Sequence, residues 1–147
     1  MAETPATPLS SAREPWTHPR FFALLRELGR LRVIHRSGPS TFESLCTMGP
    51  HGFADGHMNA INDLFHWHVK LDAFGYLRSQ DTTHARSGRR VLFFEMRERE
   101  DSAPFAFVYL HRDKGEQYEF DREQRFLAAH HELKEGRALE RAKEEVR

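Results

Sequence analysis

From Phe65 to Leu71 the chain alternates without a break: Phe65, Trp67, Val69 and Leu71 fall on one side, His66, His68 and Lys70 on the other. A period of two over seven residues predicts a β-strand with one face in a core. At a rise of about 3.3 Å per residue, the two imidazoles stand about 6.5–7 Å apart on one surface, close enough to serve one ligand. A solvated sheet face is the plain alternative, since apolar-in, polar-out strands are common. Two imidazoles flanking an indole make this face the first candidate for function.

The rest of the pattern alternates between the same two periods. Thr17-His18-Pro19 predicts a helix start, with Thr17 as cap and a proline just inside. Phe21, Phe22, Leu24, Leu25 and Leu28 supply its apolar stripe, and Gly29 its C′ stop. Leu31–His35 and Thr41–Cys46 then predict a hairpin turning at Ser37-Gly38-Pro39-Ser40. Met48–Gly52 reads as loop, Phe53–Ile61 as weakly extended, and Asn62-Asp63 as the turn into the opening strand. Ala73–Arg78 predicts another strand after a bend at Asp72-Ala73, and Ser79–Arg90 a polar loop. Val91–Met96 and Phe105–Leu110, the two most apolar runs, are joined by the polar stretch Arg97–Pro104 and predict the central antiparallel pair. Asp121-Arg122-Glu123-Gln124 reads as a capping box, with Phe126, Leu127, His130 and Leu133 as the stripe of a final helix. Helix, many strands, helix, without βαβ alternation, predicts an α+β domain on an antiparallel sheet. Residues 1–16 read as a flexible leader, 17–135 as the domain, and 136–147 as a charged tail, helical by propensity alone.

Composition narrows the classes. At 147 residues with 39% apolar and 30% charged side chains, the chain is long enough to bury a core unaided. Zero formal net charge gives no argument for nucleic acid or an anionic membrane surface. A single cysteine, Cys46, excludes an internal disulfide framework and suits a cytoplasmic location. No apolar run is long enough for a membrane span, and no signal peptide is read. What stands out is ten histidines and twelve phenylalanines.

Common catalytic sets are missing: there is no Gly-X-Ser-X-Gly, no Gly-rich phosphate loop, and Cys46 lies in an apolar strand. His66-Trp67-His68 is a His-X-His presentation suited to a metal, with Asp72 following as in cupin-like enzymes, but no third ligand motif appears apart from His111 at a strand end. His18 and His51 read as exposed leader and loop positions, and His57 and His84 as loop residues able to close over a ligand. His130 reads as a satisfied packing residue.

Several stretches together resemble the HutX/ChuX family of cytosolic haem-utilisation proteins, relatives of the HemS-type haem carriers. They are Gly56-His57-Met58-Asn59, His66-Trp67-His68-Val69-Lys70, Val91-Leu92-Phe93-Phe94 and Tyr109-Leu110-His111-Arg112-Asp113, with Gln124, Phe126 and Leu127 in the closing helix. Upstream, Gly29–His35 and Phe42-Glu43 resemble the family's first hairpin. The resemblance implies an α+β, sheet-rich fold with flanking helices, a homodimer, and haem as ligand. It places the axial iron ligand on His68 and a second histidine on or beside His35. His66 and Trp67 become ring neighbours, and Lys70, Arg78 and the Arg86, Arg89 and Arg90 group become propionate partners. The implied role is an intracellular haem carrier or buffer and not an enzyme. The alternatives are haem degradation, a His-X-His metalloenzyme, and an interaction module with a vestigial pocket. The chain departs from the family in its short N-terminal region, in the polar Asp81–Gly88 stretch where the family is hydrophobic, and in His111 where the family has glycine.

Overall fold

The computed structural model describes residues 14–112 and 117–142. Thr17 caps helix α1 (His18–Glu27) through its hydroxyl, which accepts from the Arg20 amide at 3.2 Å, and Gly29, at φ +74°, ends the turn behind Leu28. A six-stranded antiparallel sheet contains β1 (Arg30–Ser37), β2 (Ser40–Thr47), β6 (Tyr76–Thr83), β7 (Arg90–Arg97), β8 (Ala106–Leu110) and β9 (Arg137–Ala138), in the order β2-β1-β8-β7-β6-β9. The predicted central pair, β7 and β8, sits in the middle. A separate three-stranded sheet holds β3 (His51–Ala54), β4 (His57–Ile61) and β5 (His66–Lys70) in sequence order. Helix α2 (Phe120–Leu133) closes the domain.

Alternation divides the larger sheet into two faces. Leu31, Val33, Leu92, Phe94, Met96, Ala106, Val108 and Leu110 are buried on the inner face, with Phe126 of α2 and Phe21 of α1 both packed on Phe94. Phe22, one position on, turns to the smaller sheet and meets Trp67 edge-on, with ring centroids 5.8 Å apart. Helix α1 is therefore the wedge that joins the two sheets through adjacent phenylalanines. The outer face carries Arg32, Ile34, Phe93, Phe107 and Tyr109, all half-buried.

Several local expectations are corrected. The polar stretch after Arg78 is largely strand: β6 runs to Thr83, in register with β7 down to Thr83↔Arg90, and the loop shrinks to six residues, His84–Arg89. Its polar side chains have partners, Ser79 meeting His130 of α2 at 2.7 Å and Asp81 taking both ends of the Arg90 fork at 2.9 Å. Helix α2 starts two residues earlier than the capping box, with Asp121 as cap, suggested. The Glu119 carboxylate accepts from the Arg122 amide at 3.2 Å, leaving Asp121 and Glu123 in the first turn, where the helix dipole favours them. The start of the tail is held by tertiary contacts. Arg137 and Ala138 pair with β6, the Leu139 amide donates to Gly75 O at 2.9 Å, and the Glu140 amide donates to Trp16 O at 2.8 Å. Trp16, expected in a flexible leader, is buried; the leader's residues 1–13 and the tail's residues 143–147 lie outside the described residues. His18, expected exposed, is buried with its ring nitrogen 2.6 Å from Phe74 O, and His51 is a half-buried residue of β3 beside Phe22 and Phe53.

Candidate functional site

The β4–β5 hairpin shows how a local register builds a site. The Asn62 amide donates to Phe65 O at 3.1 Å and the Leu71 amide to Gly56 O at 2.9 Å, which brackets the ladder with hydrogen-bonded pairs at both ends. Antiparallel pairs alternate, so Ile61↔His66, Asn59↔His68 and His57↔Lys70 are the non-hydrogen-bonded pairs between them. Two consequences follow. Side chains approach closest at such pairs, and the main-chain groups of His66, His68 and Lys70 point away from β4, toward the free edge of the sheet.

The close approach is used at once. Asn59 Oδ1 lies 2.6 Å from His68 Nδ1, while Asn59 Nδ2 donates to His57 O at 3.5 Å and so fixes the amide orientation. An amide oxygen only accepts, so the His68 proton sits on Nδ1 and the lone pair on Nε2. This is the outer-sphere arrangement by which metal-bound histidines are oriented. His66 stands alongside, its ring centroid 5.9 Å from that of His68, and both side chains are exposed, as is Lys70.

Below the polar face two hollows meet at Trp67 and His35. One, about 220 Å³, is bounded by His35, His68, Lys70, Ala73 and Phe105. The other, about 160 Å³ and mostly apolar, is bounded by Val33, His35, Phe42, Cys46, Phe65 and His66. The Trp67 ring meets the His35 imidazole edge-on at 5.7 Å and lines both. Its indole nitrogen is buried and has no hydrogen-bond partner among the described residues. Such orphan donors in a buried site ask for an explanation, and a ligand acceptor in the hollow is one. Burial pushes the His35 imidazole below its usual pKa and the Cys46 thiol above its own, so both are held neutral.

The sign of the His35 shift gives a pH prediction. An unfolded chain takes up this proton first, so stability is unaffected above about pH 6.5 and falls as pH drops toward the depressed folded value. Urea unfolding of wild type and His35→Leu between pH 7.5 and 5 is expected to show a shallower acid loss in the variant. An unchanged slope would mean that His35 is not the buried titrating group.

Of the residues singled out from sequence, the structure gathers His35, His66, Trp67, His68 and Lys70 around these hollows. Arg78 is elsewhere, on β6 at the far side of the larger sheet, with its Nε donating to Lys134 O at 3.3 Å. Arg90 is occupied by Asp81 and Glu123, the latter at 2.5 Å, which raises its pKa above the usual value and lowers that of Asp81. Sequence reasoning did not single out Asn59, Phe65, Ala73 or Phe105 for the site. Among the described residues, no group of three His, Cys, Asp or Glu is placed to hold a bare metal ion.

No family model matches the sequence, and no curated protein is similar to it in sequence at a significant level. The fold does have solved counterparts. The chain is similar to ChuX at a TM-score of 0.68 and 14% identity, over 80% of this chain and 72% of that one. It is similar to apo-PhuS, a heme-binding protein from Pseudomonas aeruginosa, at a TM-score of 0.62 and 16% identity, over 78% of this chain and 34% of that one. It is also similar to ChuS, an E. coli heme oxygenase, at a TM-score of 0.55 and 15% identity, over 72% of this chain and 32% of that one. The fold is thus the ChuX-like α+β fold, and the chain spans about a third of the longer PhuS and ChuS chains.

Proposed function

We propose that this protein binds haem as a carrier or buffer, with His68 as the axial ligand and the hollows around Trp67 and His35 receiving one side of the ring. The observation that carries the reading is the Asn59–His68 hydrogen bond, because it presents an oriented imidazole beside an apolar recess. Imidazole is a usual axial partner of haem iron, and an apolar wall with a cationic edge suits a porphyrin and its propionates. Lys70 supplies the edge. Haem brings the iron centre and its spectrum; the chain holds the ring, fixes the ligand tautomer and shields one face from water.

Each hollow is smaller than the roughly 300–1,000 Å³ of an enclosing ligand pocket, so a single chain covers only part of a porphyrin. A second copy supplying the other wall fits this geometry, and with it the homodimer implied by the resemblance. Heme-binding ChuX and PhuS have the same fold, which favours haem over a bare metal; so does the lack of a third metal ligand among the described residues. The fold shared with ChuS supports haem degradation as the competing reading. No helix among the described residues is long and apolar enough to cross a membrane, and a carrier of this kind acts in the cytoplasm. Titration of the apo-protein with haemin is expected to give a saturable Soret shift at one equivalent, with a dimeric mass in light scattering. A shift that never saturates would overturn the carrier reading.

A further inference from the structure

Axial haem ligation uses one of the two imidazoles that β5 presents. His66 and His68 occupy alternate positions of the strand, both exposed, with ring centroids 5.9 Å apart and planes at 84°. A metal ion bonded to one nitrogen of each ring at about 2.0–2.1 Å holds the two ring centres about 4.5–6.5 Å apart, depending on the angle at the metal. The pair stands at chelating separation, so rotation of two exposed rings, with no movement of the strand, would bring a nitrogen of each to one ion.

The backbone fixes this spacing. Trp67 and Val69, the residues between and beyond the two histidines, are buried, and the whole of β5 is in register with β4. Successive outward side chains are thus locked about 6.5–7 Å apart at their roots. Asn59 occupies His68 Nδ1 at 2.6 Å, which leaves Nε2 as the nitrogen for an ion. The cross-strand neighbour of His66 is Ile61, an aliphatic side chain that offers the ring no hydrogen bond to compete with a metal. Lys70, the ammonium on this face, lies beyond His68 and away from His66. On its other side β5 is the edge of the sheet, with no strand beside it among the described residues, so water can reach an ion held there.

We propose that His66 and His68 chelate a divalent transition-metal ion, copper(II) before the others, and that this ion and haem exclude each other because both take Nε2 of His68. Zinc sites draw on three or four protein donors, and among the described residues no third His, Cys, Asp or Glu joins this pair. Copper(II) binds a given nitrogen site more tightly than the other divalent ions of its row and accepts a tetragonal set completed by water. Two imidazoles on an open edge supply the protein's share of such a set. The chain would then load haem only where such ions are scarce, and His66 is the residue that makes it responsive. The chelate rests on the geometry of β5 alone; the exclusion rests on the haem reading.

The probe is copper(II) chloride added to the full chain in a non-coordinating buffer, followed by electron spin echo envelope modulation, which counts bound imidazoles. One saturable ion with two imidazoles is expected. His66→Ala and His68→Ala are each expected to leave one imidazole and to weaken binding at least about tenfold, since losing a ligand costs no less than losing its outer-sphere partner. Both side chains are exposed, so both variants keep the fold. Copper just sufficient to saturate the wild type is then expected to suppress its Soret shift with haemin and to leave that of His66→Ala as it is without copper. A single imidazole in the wild type, or copper affinity unchanged in either variant, would overturn the chelate. Haemin bound by the wild type equally with and without copper would overturn the exclusion. A wild type that chelates copper through both histidines but never binds haemin would remove the haem reading and leave the chelate standing.

Discussion

Replacing His68 by alanine is expected to abolish the saturable Soret shift that haemin produces with the wild type. The expectation follows from the preparation of this imidazole: its Nδ1 is held by Asn59 at 2.6 Å, which leaves Nε2 as the nitrogen for a ligand, and the residue borders the recess. Losing an outer-sphere partner of a metal-bound histidine typically costs about 10–100-fold in affinity, so Asn59→Ala should weaken haemin binding by that order. Losing the ligand itself should cost more. His66→Ala is the comparison: the His66 ring lies beside the other, smaller hollow and does not border the His68 recess, so its loss should cost less than that of His68. Absorption titrations of the three variants check the ranking. Binding unchanged in His68→Ala would move the ligand to another residue, and equal losses in His66→Ala and His68→Ala would point to a shared chelate in place of one axial ligand. Far-UV circular dichroism should be the same in all three, because these side chains are exposed or half-buried on the solvent face of the hairpin.

The opening strand was legible because its period of two is uninterrupted and its inner residues are large. Phe65, Trp67, Val69 and Leu71 leave one orientation open, and the structure takes it. What sequence reading did not capture is the partner of that strand. Asp55-Gly56 is a strong two-residue hairpin signal, and both residues have positive φ, +56° and +74°, as a type I′ turn requires. Read within one weakly extended stretch, Phe53–Ile61, it hid the start of β4, the strand whose register with β5 sets Asn59 opposite His68. The hollows were invisible for a further reason. His35 lies on β1 and Phe105 just before β8 of the larger sheet, and they line a hollow with Trp67 of the smaller sheet, against which Phe22 of α1 packs. Arg78 shows the converse error. It lies eight residues beyond Lys70 along the chain, but the short helical turn Leu71–Ala73 carries the chain across to the other sheet and away from the site.

That inter-sheet distance is itself testable, through Phe22→Ala. Phe22 is fully buried and touches rings on every side: Phe21 and Phe74 on the larger body, and His51, Phe53 and Trp67 on the smaller sheet. Truncating a buried phenylalanine to alanine costs about 3–5 kcal/mol, the higher end where the surroundings cannot collapse into the space. Here collapse is resisted, because each sheet is braced by its own ladder and the lost ring is what separates them. A midpoint shift of that size in urea unfolding is expected, at unchanged slope. The variant should also loosen the wall that Trp67 presents to both hollows, so haemin affinity should fall although no ligand or rim residue has been touched. Stability lost with haemin affinity kept would show that the recess is set by the β4–β5 hairpin alone, and that α1 holds the sheets together without shaping the site.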